Sequence, residues 1–196
     1  MSSNPLHNID IKNVKNALNQ RGEKLVAGLG KYRCLMEMFH KTNVSEDRNF
    51  QRCYNGFFRM QRRSPEFYTE YFRFMERHKS EADLTFDRVL KHLYAKTEKV
   101  EPSFSSKMLS MINQNKPVWD RFVLKNLKLR FSYNGLPEKK ISSAIAVYDE
   151  ICTSFKDFVK SEQAKEWIKL FDKQFPEAEG ISVVKKIDLI LWQMRD

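Results

Sequence analysis

Glycine is scarce in this chain, six among 196 residues, and the scarcity removes whole classes of chemistry. Loops that cradle phosphates need glycine so that backbone N–H groups can approach the ligand, and no P-loop or dinucleotide-binding glycine pattern occurs. A G-x-S-x-G elbow and an H-E-x-x-H helix are missing as well, so nucleotide hydrolysis and these hydrolase types have no support. Cysteine is sparse too. Cys34, Cys53 and Cys152 are far apart and odd in number, without C-x-x-C spacing, which points away from a disulfide framework or a zinc site. Buried free thiols in a reducing cytosol are the expectation, with no metal and no cofactor. The four histidines stand singly and receive no role. No run of eighteen apolar residues exists, and MSSNPLHNID lacks a basic n-region and an apolar h-region. Neither a membrane span nor a secretion signal is therefore expected, and the location should be cytoplasmic.

What is abundant is aromatic and basic. Fifteen phenylalanines and an aromatic share of 13% supply a core without cross-links, and the length suits one domain. Residues 1–45 form a possible semi-independent helical extension of that domain, 1–196. The balance of 35 basic against 25 acidic side chains gives a net charge of +10, which favours an anionic partner.

Apolar residues recur at helical spacing along the whole length, and no strand-period segment competes, so the class is all-α with about eight to ten helices. Ile11 to Leu29 reads as one helix ending near Gly28 and Gly30, with a second through Tyr32 to Phe39. Ser45 reads as the cap of a helix from Glu46 to Arg63 with two unlike faces. Phe50, Cys53, Tyr54, Phe57 and Phe58 line one side. At 100° per residue, Arg48, Arg52, Arg59 and Arg63 fall within roughly a 60° arc on the other, a ridge suited to nucleic-acid phosphates. The bland reading is a solvated face, but no acidic residue shares the stripe. Ser64-Pro65 starts a helix through Met75, Thr85 caps one through Tyr94, and three further helices follow the loop 130–137.

The chain is organised around VEPSFSSKMLSMINQNKPVWDRFVLKNL, Val100 to Leu127. Ser103 reads as an N-cap, and Phe104, Met108, Met111 and Ile112 form the buried stripe of the helix that follows. Lys107 lies at the edge of that stripe, where half-burial and the positive helix end both lower an amine's pKa and leave it nucleophilic. After the proline of KPVWD, Asp120 reads as the cap of the next helix, with Trp119 and Leu124 as its hydrophobic staple. The bland reading makes Lys107 a solvated helix-end lysine and Asp120 only a cap.

This order, helix, short turn, helix bearing a lysine, then hydrophobic-Asp opening another helix, resembles the helix-hairpin-helix DNA glycosylase superfamily. The resemblance implies a DNA-glycosylase-like helical arrangement, DNA as partner, and base excision with Lys107 as the Schiff-base lysine and Asp120 as the assisting carboxylate. From about Phe50 to KKIDLILW the chain also looks like a family of uncharacterised bacterial proteins sharing an SFSSK…PVWD core, a likeness that implies no activity. Two alternatives stand beside base excision: a non-enzymatic nucleic-acid-binding module, and a protein-interaction domain whose basic face meets an acidic partner.

Overall fold

The computed structural model describes residues 4–194, and every regular element among them is helical. A short 3-10 turn, Pro5–Asn8, precedes α1 (Ile11–Lys41), α2 (Arg48–Phe57), α3 (Pro65–Arg77), α4 (Phe86–Thr97) and α5 (Pro102–Ile112). Then come α6 (Arg121–Leu127), α7 (Pro137–Phe158), α8 (Glu162–Gln174), a second 3-10 turn, Pro176–Ala178, and α9 (Val183–Gln193). No helix among the described residues is long and apolar enough to cross a membrane.

Several boundaries follow from local chemistry. Ser64 accepts from the Phe67 amide and Thr85 from the Arg88 amide, so both act as the expected caps. Asp120 accepts from the Phe122 amide at 2.8 Å and opens α6. Four expectations need correction. Gly28 and Gly30 do not end the first helix. α1 runs on to Lys41, and its one break in helical geometry is at Arg21 (φ −129°, ψ 17°), beside Gly22. Asp47, not Ser45, caps α2, accepting from the Asn49 and Phe50 amides. Pro102 occupies the first turn of α5 ahead of Ser103, where its missing N–H costs nothing. Finally, α2 stops at Phe57, well short of Arg63.

The reason for that early stop is tertiary. Met60 is 1% exposed, its amide returns to the Asn55 carbonyl at 2.9 Å, and its own carbonyl accepts from the Tyr68 hydroxyl at 3.0 Å. Placing Met60 in the core forces Arg59 and Arg62 into left-handed backbone conformations (φ 53° and 59°), which straight-chain residues seldom adopt.

One cluster of buried side chains runs from Leu6 to Leu191 and takes members from every α-helix. α9 sits centrally, packed against α1, α6 and α8, while α4 lies along α5 as a hairpin. Behind α5, the Tyr54 and Tyr71 hydroxyls are 2.6 Å apart, and Tyr71 donates to the Phe104 carbonyl at 2.8 Å. The thiols are not buried as expected: Cys34 and Cys53 are exposed and Cys152 is half-buried, so they are not core residues.

Candidate functional site

The connection between α5 and α6 is fixed at three successive residues. Tyr148 of α7 donates to the Pro117 carbonyl at 2.9 Å, and the Val118 amide donates to Asp188 of α9, at 3.1 Å to Oδ2. Trp119 is held by two serines of α5: its amide donates to Ser106 Oγ at 2.8 Å, and its carbonyl accepts from Ser103 Oγ at 3.0 Å. Its ring is 2% exposed, parallel to Phe86 and edge-on to Phe131. Ser106 immediately precedes Lys107, and Trp119 immediately precedes Asp120. The hydrogen bond between Ser106 and Trp119 therefore brings the lysine and the aspartate to the same edge of the α5–α6 junction.

Both side chains line one cavity of about 980 Å³, bounded by α1, α2, α5, the start of α6 and α9. Its wall is strongly basic. Lys24 and Lys31 of α1, Arg52 of α2, Arg59, Lys107, Arg121 and Lys185 contribute seven basic side chains, against the two acidic ones of Asp120 and Asp188. Apolar surface comes from Phe57, Phe58, Leu189 and Trp192.

Lys107 is half-buried, and its amine makes no ion pair or hydrogen bond among the described residues; Nζ lies 5.0 Å from the Phe104 ring centroid. Burial pushes its pKa down to about 8, with Asp120 partly opposing and Lys185 reinforcing. The sixth residue of α5 lies beyond the first turn, where a helix dipole acts, so burial rather than the dipole carries the effect.

A second lysine and a second aspartate, which pattern reading passed over, complete the site. Lys185 and Asp188 sit on α9, only 6% and 5% exposed. The Lys185 amine lies against three rings, 5.1 Å from Tyr32, 5.6 Å from Phe58 and 5.9 Å from Phe57. Burial pushes its pKa down, offset by Asp188 and then Asp120. Burial raises Asp188 to about 7, despite Lys185 and the Val118 amide, which favour the carboxylate. Both groups are thus driven toward their uncharged forms.

The four arginines divide. Arg52 and Arg59 line the cavity, and the Arg59 guanidinium lies 5.4 Å above the Trp192 ring. Arg48 is exposed in the first turn of α2, outside the cavity wall. Arg63 is bound to Glu101 at 2.9 Å and stacked over Phe104 at 4.9 Å, where it ties the α4–α5 hairpin to the α2–α3 link. Since α2 ends at Phe57, the four do not form one helical ridge. Among the described residues, no group of three or more His, Cys, Asp or Glu side chains could hold a metal ion. No family model, curated protein or solved structure matches the chain.

Proposed function

We propose that the protein binds DNA and excises bases, acting as a glycosylase with associated lyase chemistry. The observation that carries this reading is the placement of an unpaired, half-buried Lys107 amine and the capping carboxylate of Asp120 on one concave, basic wall. The α4–hairpin–α5 arrangement followed by an Asp-capped helix supports the glycosylase-like reading of the fold. Cations around the cavity suit a phosphate backbone, and the bound nucleotide would leave the stack to enter.

The chemistry divides between the two side chains. Loosening of the bond from C1′ to the base builds positive charge on the sugar, which a fixed carboxylate stabilises electrostatically. The Lys107 amine donates its lone pair to C1′, forming a C–N bond as the base departs with the electrons of the glycosidic bond and takes up a proton. Opening of the sugar ring then moves the C1′–O4′ pair and a proton to O4′, leaving an iminium between C1′ and Nζ. Borohydride reduces this species to a stable secondary amine.

Incubation with duplexes bearing oxidised, alkylated or deaminated bases, or an abasic site, in the presence of borohydride should give a covalent adduct. Lys107→Gln should abolish it, and Asp120→Asn should slow excision while leaving duplex binding roughly intact. Salt-dependent duplex binding without any adduct would assign a binding module instead. Absence of such binding would leave a protein-interaction domain.

A further inference from the structure

Gln193 ends the stripe of α9 that faces the cavity, with Lys185, Asp188, Leu189 and Trp192 at helical spacing before it. It is 1% exposed, and both ends of its amide, Oε1 and Nε2, are buried without a hydrogen-bond partner among the described residues. A buried primary amide with neither end satisfied costs stability, and leucine or methionine would fill the same volume without that cost. The surroundings are apolar on the α9 side, where Leu189 precedes it by one turn, and cationic across the cavity. Such a group, at the wall of a cavity large enough for a planar heterocycle, is suited to a ligand that brings the missing partner once the side chain turns into the cavity.

We propose that the Gln193 amide reads the edge of a nucleobase carrying a lactam, an adjacent ring N–H and carbonyl, as in uracil and hypoxanthine. Nε2 donates to the carbonyl oxygen and Oε1 accepts from the ring N–H, so one planar amide satisfies both groups at once. The excess of cations around the cavity favours carbonyl-bearing edges over the amino-bearing edge of adenine. This assignment rests on the cavity being the base pocket of the activity proposed above, and adds to that reading the class of base admitted.

The test uses free bases, so that it does not depend on excision. The side-chain amide resonance of Gln193 is followed by NMR in the full chain during titration with uracil, hypoxanthine, adenine and the N-methyl lactams 1,3-dimethyluracil and 1-methylhypoxanthine. Uracil or hypoxanthine should shift the resonance. Blocking the ring N–H by methylation, or replacing the amide by Gln193→Leu, should weaken binding roughly 5- to 150-fold, the range of a two-point base contact. Removing two unsatisfied polar atoms should leave Gln193→Leu folded and at least as stable as the parent, and its amide spectrum reports this directly. The proposal is overturned if neither lactam base moves the resonance, if the methylated bases or adenine bind as well, or if Gln193→Leu binds unchanged. Trapping of Lys107 at a preformed abasic site needs no base, so its failure would sink the lyase reading while base binding stands. Normal trapping without base binding would do the reverse.

Discussion

The two sides of α5 and its neighbours solve the problem of buried polar groups in opposite ways. On the α3 side, the hydroxyls at the seam are used: Tyr54 bonds to Tyr71, and Tyr71 to the Phe104 carbonyl, inside a stack of aromatic rings. On the α9 side, Lys185 rests on rings rather than on a hydrogen-bonded carboxylate, and among the described residues Gln193 has no partner and the Lys107 amine is unpaired. The first wall is built for stability, since each satisfied buried group avoids the penalty of an orphan. The second holds charges and amides at a cost, which is the pattern of a surface awaiting a ligand. The α5–α6 connection joins the two and depends on Trp119.

If that connection is the anchor, Trp119→Ala should produce the largest loss of stability, about 3 to 5 kcal/mol, because the ring is fully buried. Urea denaturation gives the value. A loss under about 1 kcal/mol would mean that the junction holds its shape through Ser103 and Ser106 alone, and the contrast between the two walls would then lack its hinge.

The cavity wall should respond to pH where the aromatic wall does not. Lys107 has its folded value near 8, below the ordinary 10.5, so between these values the unfolded chain holds more protons and stability rises with pH. Asp188, near 7 instead of the ordinary 3.8, has the opposite effect, so its contribution makes stability fall as pH rises from about 4 to 7. The two together place a minimum between about pH 7 and 8. Lys107→Met should reduce the upper limb to the share of Lys185, whose pKa burial also lowers, and raise stability at pH 7 by roughly 2 to 3 kcal/mol, and Asp188→Asn should remove the lower limb. Denaturation curves at pH 5, 7.5 and 10 resolve both, and parallel curves for parent and variants would show these groups to be solvated.

On the aromatic side, Tyr71→Phe should cost about 1 to 3 kcal/mol at any pH between 5 and 9, since it strands the Tyr54 hydroxyl and removes the added bond to the Phe104 carbonyl. Calorimetric melting over that range should show a constant deficit. A deficit that varies with pH would couple this seam to the cavity charges.

Much of this division was legible from residue patterns, and the part that was not has physical reasons. Helical periodicity and the caps Ser64, Thr85 and Asp120 depend on neighbours within four residues, so local reading reaches them. Lys107 and Asp120 could be paired in advance because PVWD and SFSSK frame one junction. Their shared dependence on Trp119 could not, because Ser103 looked like a cap when its hydroxyl in fact reaches Trp119. The end of α2 was signalled only by Gly56, a single glycine that a helix can tolerate; burial of Met60 overrides the propensity of Arg59. Lys185, Asp188 and Gln193 were missed for a different reason. Each is a common surface residue, and only the apolar residues on both flanks of α9, such as Ile187 and Ile190, show that this helix has no solvated face. Polar residues at i, i+3 and i+8 of a helix covered on several sides are the signal to look for.

The smallest stability effects and the most selective binding effects should come from the arginines, and they test whether the cavity wall extends to a phosphate surface. Arg52 and Arg59 are exposed on the cavity rim, so Ala at either position should change folding stability by no more than about 0.5 kcal/mol. If they contact phosphates, each substitution should weaken duplex binding at low salt and flatten the slope of log K against log salt by about one per lost contact. Arg63 is the internal control. Its guanidinium is committed to Glu101 and Phe104, so Arg63→Ala should lower stability by about 1 kcal/mol or more through the loss of a partly buried pair, with little change of slope. Arg48, outside the cavity, should change neither. Fluorescence anisotropy of a labelled duplex across a salt series gives all four slopes. Equal slopes for all four variants and the parent would remove this segment from the interface. Equal losses at Arg48 and Arg59 would replace a phosphate track centred on the cavity with diffuse attraction to the whole basic surface.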